Sequence, residues 1–214
     1  MDEAVFRRMG AYFCVAAITV YIICTVVSIL FYTMPFSLLG NWIGDLGSTT
    51  FNPQGAIIYN IGVVLAGLLL IPFMASFVAW HIGPKWSRYT LIVAEITGFG
   101  LCFGMILLGV FSEDAGSLHL HLTEFVFVTL NLMIILVNVA LIRNVRYGNL
   151  IIPVWGFFAF LLSVAQIGLY LINIKPSIFL WLSVYSSLLW ILLFCYNALA
   201  TRAPDLVETK HKIL

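Results

Sequence analysis

Residues 56 to 80 read AIIYNIGVVLAGLLLIPFMASFVAW, a run of 25 without a single Asp, Glu, Lys or Arg. At about 1.5 Å per residue an α-helix of this length exceeds the roughly 30 Å hydrocarbon core of a bilayer. Lipid offers no hydrogen bonds to the backbone, so a lone apolar segment crossing it must be helical. Five further runs follow the same reading: Ala11 to Thr33, Thr90 to Phe111, His119 to Ile142, Leu150 to Ile172 and Ile178 to Ala200. The expected fold class is all-α, a polytopic bundle of six transmembrane helices.

Composition excludes the alternatives. The 214 residues are 63% hydrophobic and 9% charged, with a net charge of +1, against roughly 25% charge in soluble domains. A mean hydropathy of +1.09 is incompatible with a disordered chain, and so small a charge with nucleic-acid binding. No soluble stretch is long enough for a second domain, so residues 1–214 read as one integral membrane domain with a short tail at 201–214.

Nine of the ten Lys and Arg residues fall on one set of alternate loops and termini: Arg7, Arg8, Lys85, Arg88, Arg143, Arg146, Arg202, Lys210 and Lys212; Lys175 falls on the other. Positive residues stay cytoplasmic, so both termini are expected inside a cell membrane. The first run is longer than the 7 to 15 apolar residues of a signal peptide and is expected to be retained. Cys14, Cys24, Cys102 and Cys195 all lie inside spans and behave as small hydrophobes.

Asn52 followed by Pro53 is expected to start the second helix, because Asn accepts from a first turn and Pro needs no partner there. Pro72 denies an amide to the Leu68 carbonyl and is expected to kink it. Gly100 and Gly104 form a small-xxx-small pair suited to close helix packing within the bundle or to a homodimer. Trp42, Trp80, Trp86 and Trp155 read as interfacial anchors.

Ionisable groups inside spans mark candidate sites. Glu124, Asn131 and Asn138 recur at intervals of seven and form one polar stripe along the fourth helix, expected to face the bundle. At its outer mouth His119 and His121 follow Glu113 and Asp114; His121 and Glu124 share a face, while His119 and His121 point about 200° apart. The pattern His-x-His-x-x-Glu has metal-ligand chemistry and needs a donor from elsewhere, with Asp45 the candidate, giving Asp45, His119 and His121 as a set for zinc. Interfacial histidines that cap the helix or bind headgroups are the alternative. Haem held by two His is not expected, because His81 lies at the inner end and His119 and His121 at the outer. Glu95, seven residues from Arg88, is expected to pair with basic groups or to be protonated.

The connection from Met34 to Gly55 carries Phe36, Leu38, Leu39, Trp42, Ile43, Leu46 and Phe51 but only one charge, Asp45. So apolar a loop is expected to fold across the outer bundle as a lid, with Gly44 and Gly47 making a turn that aims Asp45 or serves it as an Asx turn.

The segment GDLGSTTFNPQGAIIYNIGVVLAG from Gly44 to Gly67, with GVFSEDAGSLHLH from Gly109 to His121, resembles a family of six-span membrane proteins catalogued as a domain of unknown function, DUF998. The matching positions are Ile43, Asp45, Leu46 and Gly47, then Asn60, Gly109, Phe111, Leu118 and His119, with Gly44 where the family pattern carries Ser. A more distant likeness is to DRAM-like proteins and factors of lipid-anchor remodelling, which implies lipid handling by analogy.

Three functions follow. In the first, Asp45, His119, His121 and Glu124 form an outer-leaflet catalytic cluster for hydrolysis or acyl transfer on a lipid, with Ser48 or a metal-bound water as nucleophile. In the second, the same cluster with Ser48, Asn60, Asn131 and Trp42 clasps a lipid headgroup without reaction. In the third, the chain transports a small solute or ion. Membrane lipids are the expected partners in all three, alongside a homodimer or larger membrane complex.

Overall fold

A computed structural model describes residues 3–81, 83–142, 150–172, 174 and 176–200. The cationic positions Arg143, Arg146, Lys175, Arg202, Lys210 and Lys212, and the tail at 201–214, lie outside them. Six α-helices are long and apolar enough to cross a membrane: α1 Glu3–Leu30, α2 Ala56–Ala75, α3 Lys85–Val110, α4 Ser117–Leu141, α5 Ile151–Leu171 and α6 Ser177–Ala200. The chain is therefore a multi-pass membrane protein with an all-α fold. Most of the helices start and end close to the expected limits; α3 begins five residues before Thr90 and α1 eight before Ala11, so that α1 includes Arg7.

Arg7 is 1% exposed. Its Nε donates to the Ala198 carbonyl at 3.3 Å, and its guanidinium lies 5.4 Å from the centroid of Trp80. A cation at the carbonyl end of α6 is favoured by the helix dipole, and the indole face adds a cation–π contact. Trp80 is accordingly buried under Arg7 and is no interfacial anchor. This contact and the bond from Ser87 Oγ to the Ala140 carbonyl, 2.8 Å, gather the starts of α1 and α3 and the ends of α4 and α6 at one end of the bundle.

Small residues set the helix separations. A β-carbon on Gly62 would collide with Cys24 of α1, and one on Gly109 would stand 2.6 Å from the Asn60 carbonyl. The Gly100 and Gly104 pair is taken up inside the chain: added β-carbons would meet Phe125 at 3.6 Å and 2.9 Å respectively. Pro72 lies within α2, which runs on to Ala75 before tightening into a 3-10 turn over Ser76–Trp80. Glu95 finds His81 at 3.5 Å rather than Arg88.

The polar stripe on α4 is two-thirds as expected. Asn131 and Asn138 are 8% and 7% exposed, and Trp190 Nε1 of α6 donates to Asn138 Oδ1 at 3.2 Å. Glu124 departs from the stripe: its side chain is 60% exposed, because the first turns of α4 stand clear of the packed core.

Candidate functional site

The long connection after α1 is held down by the backbone needs of three helices. Asn52 donates through Nδ2 to the Ser28 carbonyl and hydroxyl and to the Leu46 carbonyl, and accepts from the Gly55 amide at 3.1 Å. It is thus a buried knot between α1 and the connection, one turn ahead of α2, rather than the helix cap. Asn60 of α2 donates to the Gly47 carbonyl at 3.0 Å. From α6, Ser177 Oγ donates to the Leu38 carbonyl and Trp181 Nε1 to the Asn41 carbonyl, both at 2.9 Å. The connection therefore lies across the ends of α1, α2 and α6, with Leu46 fully buried and Met34, Leu39 and Phe51 exposed.

These bonds present the 3-10 turn Gly44–Gly47. Asp45 is buried within it, and its Oδ2 accepts from the Trp42 amide at 2.8 Å. The bond reaches three residues back, as a capping-box carboxylate does, rather than two residues on as in an Asx turn, and Trp42 serves it through its backbone. Burial pushes the Asp45 carboxyl above the usual range, opposed by the bonds from Trp42 and Asn41.

The second wall is the connection from α3 to α4, with a 3-10 turn at Glu113–Ala115 and Gly116 at φ +61°. Glu113 faces Gly44: a β-carbon there would stand 2.9 Å from Glu113 Oε2 and 3.7 Å from His119 Nε2. Only a residue without a side chain lets these two groups approach the turn so closely. Glu113 Oε2 is buried and has no hydrogen-bond partner among the described residues. Burial, then the charges of Asp45 and Asp114, push its carboxyl up to about 7. His119 Nδ1 lies 2.9 Å from the Phe111 carbonyl. A carbonyl only accepts, so Nδ1 carries a proton, and Nε2 is the ring nitrogen that looks toward Gly44.

Asp114 closes the site from the side, accepting from Ser48 Oγ at 2.8 Å and the Thr49 amide at 2.9 Å. These bonds hold its carboxyl below the usual range. Ser48 Oγ also accepts from the Thr50 amide, so Ser48 ties two connections together instead of meeting His119.

Of the sequence candidates, Asp45, Ser48, Asn60 and His119 come together here, and Trp42 contributes its backbone. His121 and Glu124 do not join them. Their side chains are 73% and 60% exposed and pair with each other at 3.4 Å, three residues apart on an exposed face of α4. Asn131 lies deeper in the bundle. The zinc set Asp45, His119 and His121 is not assembled: among the described residues no three His, Cys, Asp or Glu side chains are grouped to hold a metal. Glu113 is the residue that sequence reasoning passed over as a candidate. Its signal was a carboxylate just before the turn at Gly116 in a chain with few charges.

The family model described as "Protein of unknown function (DUF998)" matches residues 15–197, and the chain belongs to that family. No curated protein and no solved structure matches it.

Proposed function

We propose that this DUF998 protein binds a membrane lipid by its headgroup, in a site formed by Asp45, Glu113 and His119 at the outer leaflet. The observation that carries this reading is the buried, unpartnered Glu113 Oε2, which faces Gly44 together with His119 Nε2. An acceptor left without a donor in such a place costs about 1–3 kcal/mol, which a ligand donor would recover. The two carboxyl groups of Asp45 and Glu113, with His119 Nε2 facing the same turn, suit a headgroup with a primary ammonium or hydroxyls, since these donate hydrogen bonds. The distribution of Lys and Arg supports an outer position for this end of the bundle. The exposed Met34, Leu39 and Phe51 would then rest in the headgroup region, where a lipid approaches.

A second reading is favoured by one specific feature, an imidazole and a carboxyl pushed up to about 7 that both face Gly44. Such a pair is equipped for general acid–base hydrolysis of a lipid ester. The position facing His119 Nε2 is Gly44, which offers no nucleophile, and Ser48 is engaged by Asp114. Water would have to attack, so binding is the stronger reading.

Quantifying lipid extracted with purified full-length protein tests both. Binding predicts about one retained lipid per chain, lost on Glu113→Gln or His119→Ala, with incubated lipid recovered unchanged. Retention equal to that of both variants removes the site; accumulation of a cleaved lipid that needs His119 replaces binding by catalysis.

A further inference from the structure

A second polar site lies near the middle of the bundle, where α4, α5 and α6 meet. Its position is fixed by a layer nearer the Arg7 end. There a β-carbon on Gly156 of α5 would run into Asn138 Nδ2 and stand 2.5 Å from Trp190 Nε1. Seven residues along each helix toward the Asp45 end, about 10 Å, stand Asn131, Ser163 and Ser183. Seven residues return a helix to nearly the same face, so Asn131 lies on the side of α4 that carries Asn138, and Ser163 and Ser183 lie on the sides of α5 and α6 that carry Gly156 and Trp190. The Ser163 and Ser183 hydroxyls are hydrogen-bonded and fully buried, which bears out the register between α5 and α6.

The amide oxygens around this layer lack partners. Asn131 is 8% exposed; its Nδ2 donates to the Phe127 carbonyl one turn back, at 2.8 Å, and its Oδ1 has no partner among the described residues. Gln166, one turn beyond Ser163 on the same side of α5, likewise has a buried and unpartnered Oε1. Two amide oxygens without donors in the apolar middle of a membrane helix bundle are each costly. Together with two serine hydroxyls they form a set of neutral oxygen ligands. A divalent ion needs carboxylates, and the nearest on α4, Glu124, is exposed two turns away.

We infer that the Asn131, Ser163, Ser183 and Gln166 layer binds a monovalent metal cation, Na+ or K+, independently of the headgroup site. The cation satisfies both amide oxygens at once without adding a counter-charge to the bundle. Thermal unfolding of the full-length protein in detergent, in NaCl, KCl or N-methyl-D-glucamine chloride at matched ionic strength, tests this. A saturable rise in Tm with Na+ or K+ over the organic cation is expected, with apparent affinity weakened at least tenfold in Gln166→Leu and in Asn131→Leu, and kept in Glu113→Gln. Equal Tm in the three salts would overturn the inference, leaving water as the occupant. So would a cation response unchanged in Gln166→Leu, a variant that removes one ligand even where Asn131→Leu does not fold.

Discussion

Ser48 and Asp114, 66 residues apart in sequence, are joined by a 2.8 Å hydrogen bond from hydroxyl to carboxylate. The bond fastens the connection between α1 and α2 to that between α3 and α4, and so sets Gly44 against Glu113. It also fixes what Ser48 is for. A hydroxyl that donates to a carboxylate and accepts from the Thr50 amide is a structural tie. Asp114→Ala should cost about 1–2 kcal/mol, typical of a charged hydrogen bond lost near a surface, and should speed amide exchange over residues 45–52 while leaving the six helices protected. Hydrogen exchange by mass spectrometry reads this directly.

Glu113 titrates near neutrality, and the sign of its effect follows. Its folded value, about 7, lies above that of an unfolded Glu, about 4.3. The folded state is therefore favoured by protonation below about pH 4, and this advantage is lost as pH rises through 7. Unfolding curves from pH 5 to 8 should show declining stability in the wild type. The decline should be absent in Glu113→Gln, which cannot ionise.

Gly44→Ala separates site from fold. Its β-carbon would meet the end of the Glu113 side chain, which can swing aside, so Tm should change by no more than a few degrees. The approach of Glu113 and His119 to the turn is nevertheless broken, and lipid retention should fall at least tenfold. Retention at the wild-type level would show that this close approach has no role.

His121 and Glu124 should matter little. Exposed pairs three residues apart on a helix contribute about 0.2–0.5 kcal/mol, so His121→Ala and Glu124→Gln should keep both Tm and lipid retention, in contrast to His119→Ala.

Gly156→Ala tests the packing that underlies the central polar layer. The added methyl must displace Asn138 or Trp190, at a cost of about 1–3 kcal/mol for overpacking, seen as a lower Tm and as altered Trp fluorescence.

Hydropathy made the six helices legible because length and apolarity are summed over some twenty residues, and such a sum is insensitive to any one of them. Asn131 and Asn138 could be placed inward by periodicity for the same reason. Glu124 could not, since a seven-residue repeat says which face a residue shares but not whether a neighbouring helix extends far enough to cover it. Arg7 shows the complementary failure. Counted as a loop charge, it is in fact buried against Trp80 and the last turn of α6, partners 73 and 191 residues away in the chain. The site was half visible: Asp45 and His119 stood out by residue type, whereas the role of Glu113 depends on meeting Gly44 across two connections, a contact that no local pattern encodes.

The central claim, that the Glu113 and His119 site receives a donor-bearing headgroup, is tested most directly by native mass spectrometry of the protein from nanodiscs holding equal ethanolamine-headed and choline-headed lipid. The account predicts several-fold preference for the ethanolamine lipid, since a quaternary ammonium donates no hydrogen bond, with the preference increasing from pH 6 to 8 as Glu113 ionises and vanishing in Glu113→Gln. Equal retention of the two lipids, or a preference that survives in Glu113→Gln, would contradict it.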